Sequence, residues 1–267
     1  MVPNYSGELL NELAIDCVIH LAGIAHDLSN RYKPEDYYRV NFEGTVSIFQ
    51  EFVKSKATKF IFLSSIKAAV DTSSVAVTEE VEPNPISDYG KSKLKAEEYI
   101  QGCQLQAGKC AYIFRPAMIH GKGNKGNLNL LYKYMKSGLP YIFGAYSNQR
   151  SFLTDENLHF VLLKFLQNNY PSGIYHVADD GSLSTNELIK IISTSLHRKP
   201  RIWNLPTYLL NPISKTAAFF GLPSERLKGK LTENLVVSNA KLKRTLGQAL
   251  PLDSKTGLMN TLQSFNE

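Results

Sequence analysis

Short apolar runs alternate with amphipathic stretches over the first part of the chain. Three such runs occur, at 15–23, 59–65 and 110–116. They are rich in aliphatic and aromatic residues without regular polar alternation, which is typical of strands buried on both faces of a parallel sheet. Apolar positions from Thr45 to Val53 recur at helical spacing, and a second helix is predicted over 88–103. This order implies right-handed crossovers and an α/β fold.

The pattern changes after Gly121, where a loop rich in Gly and Asn is followed mainly by helices. The predicted elements are, in order, helices at 128–138 and up to about 168, a strand at 173–179, helices at 184–196 and 207–221, and a helix capped by Ser238 and ended by Gly247. Ser184 and Glu187 have the spacing of a capping box, which marks a helix start. We therefore predict two parts, 1–120 and 121–267, with about 171–198 returning to the sheet of the first.

Composition and charge narrow the class of protein. The chain has 267 residues, 43% hydrophobic and 20% charged, as in soluble globular proteins. No apolar run approaches the ~18–20 residues of a membrane span, and the first residues do not resemble a signal peptide. Three cysteines without metal-ligand spacing indicate a reducing, cytoplasmic setting and no metal site. Scattered lysines and a net charge of +6 predict neither nucleic acid nor a membrane as partner, whereas anionic small molecules suit this charge.

Tyr89 and Lys93 lie one helical turn apart at the start of the helix predicted over 88–103. A lysine ammonium that close favours the tyrosinate and is expected to lower the pKa of Tyr89 toward the range of a general base or acid. The alternative is that the pair only begins an amphipathic surface helix. Ser64 and Ser65, at the carboxyl end of a predicted strand, favour the catalytic interpretation, because ligands of parallel sheets gather at that edge.

Six segments in fixed order carry a family resemblance. They are "VIHLAG" (18–23), "VNFEGT" (40–45), "FIFLSS" (60–65), "YGKSK" (89–93), "FRPAMIHGKGNKGN" (114–127) and "NQRSFL" (148–153). The sequence resembles the extended short-chain dehydrogenase/reductase family, in its NAD-dependent epimerase/dehydratase branch. Its particular forms are most similar to a UDP-glucose 4-epimerase-like bacterial subgroup that includes reductases of UDP-4-keto sugars. The resemblance implies a Rossmann-type parallel sheet in 1–120 and a smaller, mainly substrate-binding domain in 121–267.

The resemblance also implies residue roles. Tyr89 would exchange the proton of the sugar C4 oxygen, Lys93 would hold the nicotinamide ribose and tune Tyr89, and Ser65 would polarise the C4 oxygen, with Ser64 as second choice. The implied cofactor-binding residues are Ala22, Gly23, Asn41, Ser64, Lys93, Pro116 and Met118. The implied ligands of the substrate diphosphate are Asn127, Arg150 and Arg226.

Several of these positions have a plain structural alternative. Asn41 is equally compatible with a satisfied core amide, and Arg150 and Arg226 with solvated surface charges. The histidines in the motifs, His20 and His120, are interpreted as structural and hydrogen-bonded rather than catalytic.

The chain departs from the family in one respect. The family begins with a strand and a turn of the form T-G-x-x-G-x-x-G, which binds the dinucleotide pyrophosphate at a helix N-terminus. The sequence contains no such turn, and the strand at 16–22 resembles the family's fourth strand. We therefore expect an N-terminally truncated Rossmann-type sheet in which this strand lies at the edge. The sequence could be a fragment or mis-started reading frame, one half of a split protein, or a degenerate remnant.

The expected function is that of the intact architecture. It is an NAD(P)-dependent epimerisation or reduction at C4 of a UDP-hexose or UDP-N-acetylhexosamine, with NAD preferred and NADP left open, and little turnover by this chain alone. The alternative is a non-catalytic nucleotide-sugar-binding or assembly module. The resemblance implies a homodimer formed through the helices at 37–55 and 88–103.

Overall fold

A four-stranded parallel sheet forms the centre of the structure, a computed structural model that describes residues 6–25, 32–124, 126–206 and 232–265. Its strand order is β1-β2-β3-β6, and every neighbouring pair is parallel. The strands are β1 (Cys17–His20), β2 (Lys59–Leu63), β3 (Cys110–Pro116) and β6 (Gly173–Val177), with β4 (Met118–His120) and β5 (Phe152–Thr154) forming a separate parallel pair. The predicted α/β class with a parallel sheet is confirmed.

Nine α-helices surround these strands in the described part of the chain. They are α1 (Gly7–Glu12), α2 (Pro34–Tyr37), α3 (Gly44–Lys54), α4 (Asp88–Gly102), α5 (Asn127–Lys136), α6 (Asp155–Gln167), α7 (Thr185–Ser195), α8 (Ala240–Leu246) and α9 (Ser254–Gln263). A short 3₁₀ helix at Ile66–Ala68 follows β2. Along the same ranges, no helix combines the length and the apolar character needed to cross a membrane.

The two faces of the sheet are buried against different helices, because successive strand residues point to opposite sides. Phe60, Phe62 and Ile113 pack with α3 and α4 on one face. Ile61 and Phe114 pack with α6 on the other. This double burial explains why the strand sequences read as continuous apolar runs. Within the described residues β1 pairs with β2 alone and is the outer strand, as expected.

The helix predicted before β2 is divided. A π-helical turn at Tyr38–Glu43 separates α2 from α3, and the fully buried Asn41 lies within it. Such turns insert one extra residue into a helix and occur frequently at functional sites. The extra residue rotates the side chains before Gly44 relative to those of α3. The helical spacing of apolar residues in the sequence does not predict this rotation.

The second half contains a separate apolar cluster formed by side chains of α5, α7 and α9 together with Tyr141, Phe143 and Phe152. The strands β4 and β5 were not predicted, because segments of three residues show no recognisable alternation. The domain boundary near residue 120 stays a prediction.

Helix boundaries in this half largely match the sequence signals. The capping box of Ser184 and Glu187 is present at the start of α7, and Gly247 ends α8 with a φ of 68°. Asn239 occupies the N-cap position of α8 but makes no capping hydrogen bond, while the Ser238 hydroxyl accepts from Ala240 N–H at 3.4 Å, so the predicted cap lies one residue before the assigned position. The helix predicted at 207–221 lies outside the described residues.

Candidate active site

The carboxyl ends of β1, β2 and β3 meet the first half of α4. Small residues, Ala22 and Gly23, follow β1 and are exposed, while Ser64 and Ser65 follow β2. This is the edge at which parallel sheets bind their ligands.

The start of α4 is held against the segment after β2. The Ser87 hydroxyl accepts a hydrogen bond from Gly90 N–H at 3.2 Å and caps the helix. Gly90 packs so closely on the Lys67 carbonyl oxygen that no side chain fits between them. The loop before α4 is also tied down, since Asp71 accepts a hydrogen bond from Ile86 N–H at 2.7 Å. Tyr89 is therefore presented from a fixed helix start.

The Tyr89 side chain lies beside the Ser65 side chain. Burial raises the pKa of Tyr89, and the Ser65 side chain opposes that rise. The expectation that Lys93 lowers the pKa of Tyr89 is therefore wrong, because loss of solvent around the phenol outweighs the other influences. The ring of Tyr37 packs edge-on against Tyr89, with 6.4 Å between ring centroids. Tyr89 is thus a protonated phenol beside a serine hydroxyl.

Lys93, one helical turn after Tyr89 on α4, is buried, with 3% of its surface exposed. Its Nζ donates a hydrogen bond to the Leu63 carbonyl oxygen at 3.0 Å and lies 4.7 Å from the centre of the Phe62 ring. Burial lowers the pKa of Lys93 to about 8, and the nearby Glu97 opposes this change. The ammonium still predominates at neutral pH.

Asn41 holds the loop after β1 against α4. Its Oδ1 accepts from Ile24 N–H at 2.8 Å, and its Nδ2 donates to the Ile24 carbonyl oxygen and to Ser92 Oγ, both at 3.1 Å. A methyl group added at Gly23 would lie 2.9 Å from Asn41 Oδ1 and 3.1 Å from Lys93 Nζ. Asn41 is therefore a satisfied buried amide that supports the loop, one of the two interpretations open from the sequence.

Ser64 faces away from Tyr89. Its hydroxyl donates to the carboxylate of Glu97, which is also bound by the Nε and Nη2 atoms of Arg115. From the sequence, Arg115 was expected at the carboxyl edge of the sheet, but neither it nor Glu97 was assigned a role. Two signals pointed to them: Glu97 lies two turns after Tyr89 on the same helix, and Arg115 interrupts an otherwise apolar strand.

The remaining predicted residues belong to other elements. Pro116 is buried at the end of β3, and Met118 begins β4. Asn127 is the first residue of α5. Arg150 is half-buried, and its backbone bridges to Leu183 and Leu235. Arg226 lies outside the described residues. The contacts described above thus unite Gly23, Asn41, Ser64, Ser65, Tyr89 and Lys93.

The histidines of the motifs have structural partners. His20 Nε2 lies 2.9 Å from Thr45 Oγ1, and His120 Nδ1 lies 2.9 Å from Thr261 Oγ1. Burial lowers the pKa of each histidine to about 4, so both are neutral at pH 7. Over the ranges that the structure describes, no group of three or more His, Cys, Asp or Glu residues is placed to hold a metal ion.

Known proteins share both this fold and this sequence pattern. A UDP-glucose 4-epimerase from Vibrio cholerae is 30% identical over 255 residues, which cover 93% of this chain and 76% of that protein. The UDP-N-acetylglucosamine 4-epimerase of Bacillus cereus has a similar fold, with a TM-score of 0.74 at 19% identity over 99% of this chain and 82% of its own. The Bordetella bronchiseptica enzyme WbmG, solved in complex with NAD, has a TM-score of 0.75 at 15% identity over 97% of this chain and 74% of its own.

The family model described as "NAD dependent epimerase/dehydratase family" matches residues 5–178, well over half of the chain. That range contains the β1, β2 and β3 ends and the first half of α4, where the candidate site lies. The chain belongs to the NAD-dependent epimerase/dehydratase family.

Proposed function

We propose that this chain binds a UDP-linked sugar and a nicotinamide dinucleotide, and that it moves a proton at the C4 oxygen of a UDP-hexose or UDP-N-acetylhexosamine. One observation carries the proposal. The Tyr89 side chain lies beside that of Ser65, and Lys93 is buried one helical turn further along α4, at the carboxyl edge of a parallel sheet.

The residues at the end of β1 fit the nicotinamide half of the cofactor. Ala22 and Gly23 are small and exposed, and a side chain at Gly23 would lie within 3.1 Å of Lys93 Nζ. A ribose hydroxyl is a suitable acceptor for a lysine ammonium. NAD, the cofactor of the WbmG complex, supplies hydride exchange when bound. We propose NAD as the cofactor and leave NADP open.

The chain's own groups provide the proton path. Because its pKa is raised, Tyr89 carries its proton at neutral pH and can donate it to a C4 oxyanion. The Ser65 hydroxyl stabilises the same oxygen by hydrogen bonding. In the reverse direction the Tyr89 oxygen takes the C4 hydroxyl proton, helped by the positive charge of Lys93. Reduction uses this transfer once, and epimerisation uses it in both directions.

The relatives support the substrate class. The Vibrio cholerae relative is a UDP-glucose 4-epimerase and the Bacillus cereus structure a UDP-N-acetylglucosamine 4-epimerase. We propose Asn127, Arg150 and Arg226 as ligands of the UDP diphosphate, since arginine forks match phosphate oxygens. For Arg150, burial lowers the pKa and Glu233 opposes this, consistent with a partly desolvated cation. We also propose a homodimer and a cytoplasmic location.

A second candidate function is a nucleotide-sugar-binding or assembly module with little turnover. The sequence contains no T-G-x-x-G-x-x-G segment, and that turn normally binds the dinucleotide pyrophosphate. We therefore expect the chain alone to hold NAD weakly and to turn over slowly.

The test combines binding with turnover. Native mass spectrometry and calorimetry with UDP, UDP-glucose and UDP-N-acetylglucosamine measure binding, and chromatography of the sugar nucleotides with added NAD measures epimerisation. Tyr89→Phe is expected to lower any turnover at least about 100-fold while leaving UDP-sugar binding intact. Tyr99→Phe, on the same helix and bonded to Gln50, is the matched control. Binding without turnover favours the second candidate, and absence of both overturns the proposal.

A further inference from the structure

Three side chains of α4 contact three consecutive residues at the carboxyl end of β2, Leu63 to Ser65. Tyr89, Lys93 and Glu97 lie one turn apart on the same helix face. Tyr89 lies beside Ser65, Lys93 Nζ donates to the Leu63 carbonyl oxygen, and the Glu97 carboxylate accepts from the Ser64 hydroxyl. The strand end that carries Ser65 is therefore fixed at every residue by the helix that carries Tyr89.

Glu97 is the most deeply buried member of this row. It has no exposed surface, and Arg115 has 1%. Arg115 Nε lies 3.1 and 3.0 Å from the two carboxylate oxygens, and Nη2 lies 2.5 Å from Oε2. A buried ion pair of this kind rarely makes a protein more stable than apolar packing would. We therefore looked for a function of the Glu97–Arg115 pair other than stabilising the fold.

The contacts indicate that Glu97 is ionised. Burial raises its pKa, while Arg115, Ser64 and Lys93 all oppose that rise. The Arg115 guanidinium cannot lose its proton, and a neutral Glu97 would leave that cation buried without a counter-charge. The two forked N–H bonds require acceptor oxygens, which the carboxylate supplies.

An ionised Glu97 acts on both proton-carrying groups of the site. Its negative charge raises the pKa of both groups: at Tyr89 it adds to the effect of burial, and at Lys93 it opposes the effect of burial. His20 on β1 also interacts with Lys93, and its burial keeps it neutral at pH 7. Without Glu97, the buried Arg115 cation would lose its carboxylate partner, and Lys93 would lose a nearby negative charge.

We propose that Glu97, anchored by Arg115, is a positioning residue of this site: its hydrogen bond with Ser64 holds the segment after β2 against α4, and its charge keeps the proton on both Lys93 and Tyr89. The inference rests on the proposed function of the Tyr89–Lys93 pair as the proton-transfer group. In this proposal Glu97 is the side chain that sets the ionisation state of Tyr89 and Lys93 before a substrate binds.

The test measures ionisation directly in the full chain, without ligand or turnover. Samples labelled with ¹³Cε-lysine and ¹³Cζ-tyrosine are titrated by NMR, with Lys93→Met and Tyr89→Phe assigning the two signals. Glu97→Gln is expected to lower the apparent pKa of Lys93 by about one unit or more and to lower that of Tyr89 in the same direction. Glu97→Asp keeps the charge and is expected to restore most of both values.

Glu98→Gln, the exposed neighbour on α4, is the matched control and should change neither titration. If Glu97→Gln fails to fold, Glu97→Gln combined with Arg115→Met removes the orphaned cation, and the same fall in both pKa values is expected. Unchanged titrations of Lys93 and Tyr89 in either folded variant overturn the inference. Because no nucleotide sugar is present, this result is independent of whether the binding and turnover tests support the proposed function.

Discussion

Asn41 and Ile24 form a reciprocal hydrogen-bonded pair in which the side-chain amide of one binds both main-chain groups of the other, at 2.8 and 3.1 Å. The amide thus pairs with the backbone of the loop after β1 in the way that a neighbouring β-strand would. The π-helical turn places Asn41 where it also reaches Ser92 on α4. One buried side chain therefore connects β1, the turn and the helix that carries Tyr89 and Lys93.

Asn41→Ala is expected to lower the free energy of unfolding by about 2–4 kcal/mol, because it leaves the Ile24 and Ser92 polar groups without their partner. Urea unfolding monitored by circular dichroism measures the change. Ser47→Ala, exposed on the following helix, is the control. A stability equal to that of the control would show that Ile24 finds other partners at no cost.

Gly23→Ala is expected to lower the stability by about 1–2 kcal/mol and to weaken any NAD binding. The added methyl group would lie 2.9 Å from Asn41 Oδ1, a short side chain that its own hydrogen bonds hold in place. Gly102→Ala, at the end of α4 with nothing within 4 Å, should be neutral or slightly stabilising. Indistinguishable urea unfolding curves for Gly23→Ala and Gly102→Ala would contradict the close packing of Gly23 against Asn41 and Lys93.

Gly90→Ala is expected to be the most damaging glycine substitution in α4. A Cβ there would meet the Lys67 carbonyl oxygen, which is backbone and cannot turn aside, and Pro85 Cβ at 2.9 Å. We expect a loss of about 3 kcal/mol and a changed ring environment for Tyr89 by NMR. Gly44→Ala, whose Cβ would have only an ordinary contact at 3.8 Å, is the helical counterpart and should unfold at no lower urea concentration than the parent.

His20 is expected to make the fold less stable in acid. Burial, followed by the charge of Lys93, lowers its pKa from 6.5 to about 4. The unfolded chain therefore binds this proton at a higher pH than the folded chain does, so stability is complete above about pH 6.5 and is lost as the pH falls toward 4.

His20→Gln cannot take up this proton, so its stability should fall less between pH 7 and pH 4.5 than that of the parent, by on the order of 2 kcal/mol. Denaturant unfolding at the two pH values measures the difference. Asp179, whose pKa burial raises to about 6, has the opposite dependence but is common to both proteins. The exposed His159→Gln is the control, and parallel curves for His20→Gln and the parent would refute the assignment.

Local patterns predicted much of the architecture. The continuous apolar runs identified β1, β2 and β3, and the i, i+4 spacing placed Tyr89 and Lys93 on one face of α4. The capping box at Ser184 was recognisable because both partners lie within one helical turn. Signals of this kind depend only on residues close together in the sequence, so they can be recognised without knowledge of the tertiary structure.

The failures have a common cause. The pKa of Tyr89 was expected to fall, but burial raises it, and burial depends on what packs around the ring. Neither β4 nor β5 was predicted, since each is stabilised mainly by pairing with the other across more than thirty residues. The N-cap of α8 shifted by one residue to Asn239, whose Nδ2 donates to the Ala178 carbonyl oxygen of the segment after β6.

The residue periodicities of this chain are sufficient to specify a parallel α/β sheet and to place a tyrosine, a lysine and two serines at its carboxyl edge. The tertiary structure alone decided that Ser65 faces Tyr89 while Ser64 faces Glu97, and that Arg115 completes the buried charge beneath Lys93. The physical reason is that solvent exclusion and charge pairing act between residues far apart in the chain. They set the ionisation of the site only once β2, β3 and α4 are packed together.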